Sequence, residues 1–205
     1  MRAGQSSLKE TLFLSCREKR CCSYYSVYPT GLDVWRITTA LQVPPWSFTT
    51  PVPAEGEAPD GFMLDTTRLR HRLALVKRIG PGSAIPACVF LVHLNDGTAR
   101  CGLGHRQPTC CRTFPTILID GIVRTRNDGG CTCRTWSLAE LDLDEERALL
   151  HAEREEQRTY WEMVARWNGY ASGQLPQAGL NYRDFCRYLL DVYTQLDRSH
   201  AAAES

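Results

Sequence analysis

Ten cysteines in 205 residues, nine of them before residue 137, constrain this chain more than any other feature. The stretch "CGLGHRQPTCCRTFP", residues 101–115, holds Cys101, Cys110 and Cys111 together with His105, two arginines and two prolines. Such a density of thiols serves disulfides, a reactive thiol or a metal, and the compartment decides among them. No stretch reaches the roughly 20 apolar residues that span a bilayer. The start, "MRAGQSSLKETLFLSC", has Lys9 and Glu10 interrupting any apolar run and does not read as a signal peptide. The expectation is a cytoplasmic protein without a membrane partner, where clustered cysteines point to metal or redox chemistry rather than structural disulfides. A disulfide-stapled secreted domain would fit the number of cysteines but not this N-terminus.

A formal net charge of +1 gives no sign of unspecific nucleic-acid binding, and no nucleic-acid partner is expected. The charge is uneven, however. Residues 1–136 carry 17 Lys/Arg against 10 Asp/Glu, and residues 137–205 carry 7 against 13. An acidic helical tail beside a basic globule is the plain reading, and a basic protein or peptide partner for the tail is the functional one.

Apolar periodicity predicts a short helix over 32–41, with Thr30 or Asp33 helping its start. Five prolines and two glycines in "VPPWSFTTPVPAEGEAPDG" argue against long regular elements there. "RLALVKRI" (72–79) and "ACVFLVHL" (87–94) read as two strands of a hairpin or small sheet, with a turn at "NDGT" (95–98). "TILIDGIVRT" reads as a hairpin turning at Asp120-Gly121. From Ser137 the character changes. "SLAE" is a capping box, and the chain that follows predicts a helix to about Trp167, broken by "NGYASGQLPQAG". A second helix starts at the cap Asn181 and pairs with the first as a hairpin.

Cysteines in loops and at strand ends let several sulfurs turn toward one point, as zinc or an iron–sulfur cluster requires. The local spacings, Cys16-x4-Cys21 and Cys131-x-Cys133, match no common zinc-finger or ferredoxin pattern. Cys186, between Phe185 and Arg187 on the second helix, reads as a buried inert thiol. Cys110 and Cys111 are adjacent, so their side chains should diverge, with one of them facing the site. Cys88 before "VFLV" reads equally well as a ligand or a core residue, and His105 is the best placed histidine. Arg106, Arg112 and Arg134 would offset the charge of thiolate coordination or serve as ordinary surface charge.

The order of these elements resembles the YkgJ-type cysteine-cluster family of zinc- or iron-chelating proteins. Cys21-Cys22 corresponds to that family's Cys-Cys pair, and "CVFL" from Cys88 to its second element. "CGLGHRQPTCCRTFP" corresponds to the third, with Cys101 and Cys111 at the family spacing and Pro108, Arg112, Phe114 and Pro115 in place. The resemblance covers about residues 12–135. Gln107 stands where the family usually has arginine, Lys19 where it often has a further cysteine, and Cys110 is extra. The resemblance implies a metal site formed by Cys16, Cys21, Cys22, Cys88, Cys101, Cys111, Cys131 and Cys133. It would hold iron, as an iron–sulfur cluster, with zinc as the alternative. A relative is similar to the flagellin lysine methylases, which implies metal-dependent modification of a protein or peptide as a second reading. The chain has no glycine-rich phosphate loop, HExxH or nucleophile elbow. The expected fold is α+β: a small cysteine-rich metal-binding domain of short strands and loops over 1–136, with a C-terminal helical hairpin over 137–205 packed on it.

Overall fold

The computed structural model describes residues 20–54, 61–64, 69–80, 84–126, 137–178 and 180–203. Helix α1 (Arg20–Tyr24) and helix α2 (Gly31–Leu41) precede a 3-10 turn at Pro45–Ser47. Seven short strands follow: β1 (Thr49–Pro53), β2 (Phe62–Met63), β3 (Arg70–Leu75), β4 (Lys77–Arg78), β5 (Ala87–Cys88), β6 (Leu91–His93) and β7 (Ala99–Cys101). A 3-10 turn at Gly104–Arg106 leads into helix α3 (Thr109–Thr113) and the hairpin β8 (Thr116–Ile119) and β9 (Ile122–Thr125). A 3-10 turn at Leu138–Glu140 then precedes the long helices α4 (Leu143–Ala178) and α5 (Tyr182–Ala203). The chain is thus a mixture of helix and strand with a helical C-terminal region. Among the described residues no helix is long and apolar enough to cross a membrane.

The chain divides into two compact units, each assembled from two separate stretches. One contains the described parts of Met1–Ser26 and Lys77–Glu153, and the other those of Val27–Val76 and Arg154–Ser205. This differs from the expected boundary at 136/137. Residues 27–76 join the C-terminal helices rather than the cysteine-bearing elements, because that is where their apolar faces are buried.

In the unit of Val27–Val76 and Arg154–Ser205, α2 starts at a complete capping box. Asp33 N–H donates to the Thr30 hydroxyl at 3.2 Å, and Thr30 N–H to the Asp33 carboxylate at 3.0 Å. Both expected start signals operate together. The proline-rich segment is more regular than expected, since β1 runs through Pro51 and Pro53 and pairs antiparallel with β3 from Thr49↔Leu75 to Pro53↔His71. The order β1-β3-β2 leaves β1 at an edge, where a residue lacking an N–H is tolerated. The apolar run 72–79 is also not one strand. Val76 N–H donates to Phe48 O at 2.8 Å, and the chain then enters β4, which pairs with β5 in the other unit. Likewise 87–94 is divided: Ala87–Cys88 pairs with β4, and Leu91–His93 pairs with β7 around the expected turn at Gly97.

Aromatic rings dominate this unit's core. Phe62 stacks on Phe185 with centroids 3.7 Å apart, and Trp167 meets Phe185 edge-on at 5.4 Å. Trp167 also lies 5.4 Å from Tyr188, whose hydroxyl donates to Met163 O at 3.2 Å, so α4 and α5 run antiparallel. The indole N–H of Trp167 donates to Met63 O at 2.8 Å. The side chain of Asn168 accepts from Met63 N–H and donates to Gly61 O, each at 2.8 Å. These contacts explain why α4 does not break at Gly169; the helix extends to Ala178. Glycines at 169 and 173 cost a helix about 1 kcal/mol each relative to alanine. Burial of Trp167, Asn168 and Ala171 on one face outweighs that cost. The "SLAE" box forms at Ser137, yet it closes only the 3-10 turn; Asp142, accepting from the N–H groups of Asp144 and Glu145, starts α4 itself.

Helix α2 approaches this core through Gly31. A β-carbon there would lie 2.5 Å from Tyr193 Cε2 and 3.0 Å from Tyr160 Cδ2, both on buried rings that cannot swing aside. Gly31→Ala is therefore expected to destabilise by about 1–3 kcal/mol through overpacking. A lower urea midpoint with an unchanged slope checks this, and a variant as stable as the parent would refute the close approach.

In the unit of Met1–Ser26 and Lys77–Glu153 the apolar core is smaller. Leu118 and Val123 of the β8–β9 hairpin pack with Leu150 of α4 and with Leu138. The hairpin turns at Asp120 (φ 50°) and Gly121 (φ 75°), as expected of a two-residue turn with both central residues left-handed.

Candidate metal centre

Four separate segments of this unit carry the described thiols of the site. Cys21 and Cys22 lie on α1, Cys88 ends β5, Cys101 ends β7, and Cys110 and Cys111 lie on α3. Two of the carriers are short helices where loops were expected. Cys16, Cys131 and Cys133 lie outside the described residues. All seven described cysteines are thiols.

Local hydrogen bonding sets each carrier. Tyr25 N–H donates to Cys21 O at 3.2 Å at the end of α1, and the Tyr25 ring lies 6.3 Å from Phe114, the residue after α3. Strand β5 lies against β4 with Cys88 opposite Lys77. Strand β7 lies against β6 with Cys101 opposite Leu91, and Gly102 N–H donates to Phe90 O at 2.7 Å. Helix α3 opens on Pro108, whose carbonyl accepts from Cys111 N–H at 2.8 Å and Arg112 N–H at 3.2 Å. Three buried threonines fix its far side. The Thr113 hydroxyl donates to Thr109 O at 3.2 Å, and the Thr116 hydroxyl lies between Thr113 O (2.6 Å) and the buried Glu146 carboxyl (2.5 Å). A composition-based reading passes over these threonines and Glu146, because nothing in their spacing distinguishes them from surface residues.

The thiols form one electrostatic group. A hydrogen bond with Cys21, then burial, then the charges of Cys21, Cys88 and Cys101 hold the Cys22 thiol far above its usual range. Cys111 is raised in the same way, first by a hydrogen bond with Cys110, then by burial, then by Cys110, Cys22 and Cys88. Cys88 is raised chiefly by burial and further by Cys101 and Cys21, while the Phe90 backbone and the Lys77 ammonium pull it back. Cys22, Cys88 and Cys111 thus link all six described thiols into a single set. The expected divergence of Cys110 and Cys111 is replaced by a mutual hydrogen bond, and Cys111 is the one that also senses Cys22 and Cys88.

Among the described residues, no three His, Cys, Asp or Glu side chains are drawn around one point closely enough to hold a metal ion as they stand. Cys22 is hydrogen-bonded to Cys21 and Cys111 to Cys110, whereas ligation would replace the proton of each bound thiol by the metal. The donor set nevertheless has the chemistry of a soft-metal site: half-buried thiols, of which Cys22, Cys88 and Cys111 have their ionisation opposed by neighbouring sulfurs, an opposition that a bound cation removes. Cationic groups lie alongside. Lys77 acts on Cys88, and Arg112, next to Cys111, donates from Nη2 to the Thr109 hydroxyl at 3.2 Å. Its buried Nε has no hydrogen-bond partner among the described residues. Lys77 was not expected at the site. The one sequence signal for it is that the chain has only three lysines among its 24 basic residues.

Other candidates fall away from this group. His93 and His105 are exposed, as is His151 on α4. Cys186 is 1% exposed within the aromatic core of the other unit, and burial, opposed by the Tyr182 hydroxyl, pushes its thiol up to about 11. Its neighbourhood is an internal hydrogen-bond chain. The Thr49 hydroxyl donates to Pro45 O at 2.7 Å, which leaves the Tyr182 hydroxyl to donate to Thr49 at 2.5 Å. The inert reading of Cys186 fits this setting.

Compared with known proteins, the chain matches no family model, no curated protein and no solved structure.

Proposed function

We propose that this chain is a metal-binding protein whose cysteine cluster holds iron, as an iron–sulfur cluster, or zinc. The observation that carries the reading is the gathering of Cys21, Cys22, Cys88, Cys101, Cys110 and Cys111, from four separate segments, into one interacting set. A fold that needed thiols only as small apolar groups has no reason to collect six of them where neighbouring sulfurs oppose the ionisation of Cys22, Cys88 and Cys111. Thiolate ligation turns that crowding into coordination. Cys22, Cys88, Cys101 and Cys111 are the described residues best placed to ligate, with Cys16, Cys131 and Cys133 as further candidates. The metal, when bound, would supply cross-linking of the four segments and, if iron, electron transfer.

Protein purified without air is expected to carry iron with inorganic sulfide and a broad visible absorption, or zinc without colour. Protein free of both, and unable to take up either on reconstitution, refutes the reading. Cys111→Ser is expected to lower metal content several-fold, and Cys110→Ser less. Cys186→Ser, in the other unit, should leave metal content unchanged. Equal loss in the Cys111 and Cys186 variants would overturn the assignment of ligands.

A further inference from the structure

We infer that Lys77 is a positioning residue of the thiol centre, tying two of its four cysteine-bearing segments together while placing a fixed positive charge beside the sulfurs. The inference rests on the metal-binding reading of that centre and names a residue its cysteine motif does not contain.

Two contacts converge on this one side chain. Its strand residue faces Cys88 across the β4–β5 ladder, so the lysine stem leaves the sheet at the position of that cysteine. Its ammonium donates to Ser23 O at 2.6 Å, in a partly buried bond that spans 54 positions of sequence. Ser23 directly follows Cys21-Cys22 in α1. The last carbonyls of a helix have no partner within it, and a cation bonded to one of them both caps the helix and satisfies its dipole. In a helix of five residues with few internal bonds, such a contact decides where the helix lies. Lys77 therefore sets the distance between the Cys21-Cys22 pair and Cys88.

Charge gives the same side chain a second task. Four thiolates on one divalent ion leave a net charge of −2, and in a half-buried setting this excess is stabilised by nearby cations rather than by water. Lysine is a compact point charge on a flexible stem, able to serve a single carbonyl and still stand near sulfur, where the planar guanidinium is built for forked acceptors. In a chain that otherwise uses arginine almost throughout, lysine at this place is consistent with that demand.

Three variants separate the roles. Lys77→Met removes charge and tether, Lys77→Gln keeps a hydrogen-bond donor without charge, and Lys77→Arg keeps the charge. Cobalt(II), whose thiolate complexes are coloured, is titrated into each reduced, metal-free protein, and hydrogen exchange is measured over residues 20–26 without metal. Lys77→Met and Lys77→Gln are expected to bind cobalt about 10- to 100-fold more weakly than the parent, the scale of an outer-shell partner, with Lys77→Arg recovering most of the affinity. Exchange over residues 20–26 should quicken in Lys77→Met, while peptides of residues 154–178 keep the parent rate and report that the chain is folded. If the parent binds cobalt and all three variants match it with unchanged exchange, Lys77 has no positioning role. If Lys77→Gln restores both readouts, the residue is only a helix cap and the inference is overturned. If the parent binds no cobalt yet exchange quickens in Lys77→Met, the tether stands and the metal reading falls.

Discussion

Stripping the proposed metal is expected to unfold the cysteine-bearing elements while leaving the other unit folded. The described apolar core of the cysteine unit is small: Leu118, Val123, Leu150 and Leu138, with Ala99 and Leu103 buried elsewhere. A structural metal contributes about 10 kcal/mol or more of apparent binding free energy, as much as the whole stability of many domains. Its loss would release α1, the ladders holding Cys88 and Cys101, and α3 together. The unit of Val27–Val76 and Arg154–Ser205 has its own packing of Phe62, Leu73, Trp167, Phe185 and Leu189, each at most 2% exposed. Hydrogen exchange before and after a strong chelator is the measurement. Protection should collapse across residues 84–113 and persist across 31–41, 70–75 and 160–193. Loss of protection at 31–41 in step with 84–113 would show that the two units do not fold separately. Unchanged protection everywhere would mean that the metal is not a structural element, and an electron-transfer or catalytic role would then account better for the thiols.

Trp167→Ala carries the largest expected cost of any single substitution in the other unit, about 3–5 kcal/mol for the lost side chain and the cavity it leaves. The indole touches Phe185, Tyr188 and Tyr170, and its N–H is a partner of the Met63 carbonyl. Trp167→Phe keeps most of the apolar contact but leaves that buried carbonyl short of a donor, for about 1–3 kcal/mol. Urea denaturation followed by far-ultraviolet circular dichroism should place the three proteins in the order parent, Trp167→Phe, Trp167→Ala. A Trp167→Ala protein within 1 kcal/mol of the parent (roughly the scatter of exposed substitutions) would show that this tryptophan is not at the centre of the core. Metal content should follow neither variant, since both changes lie outside the cysteine unit.

Much of the local structure was legible because it depends on near neighbours in the chain. Thr30 and Asp33 cap α2, Asp120-Gly121 turns the β8–β9 hairpin, "NDGT" turns β6 into β7, and Asn181 starts α5, its side chain accepting from the N–H groups of Arg183 and Asp184. Each is a matter of which backbone groups lack partners and which short polar side chain or glycine can serve them. The order of motifs predicts that Cys21, Cys22, Cys88, Cys101 and Cys111 share one site, whereas among the described residues no three of them surround one point closely enough for a metal ion. The burial of Cys186 followed from its aromatic neighbours.

What the amino-acid order could not supply is the partner of each segment. The run 72–79 reads as one strand, and only the pairing of β3 with β1, and of β4 with β5, divides it between two units. Pro51 and Pro53 read as strand breakers until β1 is seen at a sheet edge, where the missing N–H groups cost no ladder bonds. Gly169 and Gly173 read as the end of a helix, and α4 passes through them because Trp167, Asn168 and Ala171 are held from the other side. Lys77 and Glu146 look like any surface charges until the folded chain brings them to Ser23 and Thr116. Local propensities amount to about 1 kcal/mol per residue or less, whereas burying one large side chain contributes about 1.5–3 kcal/mol. Caps and turns were therefore determined by the sequence near them, and the assignment of segments to cores was decided by the tertiary structure.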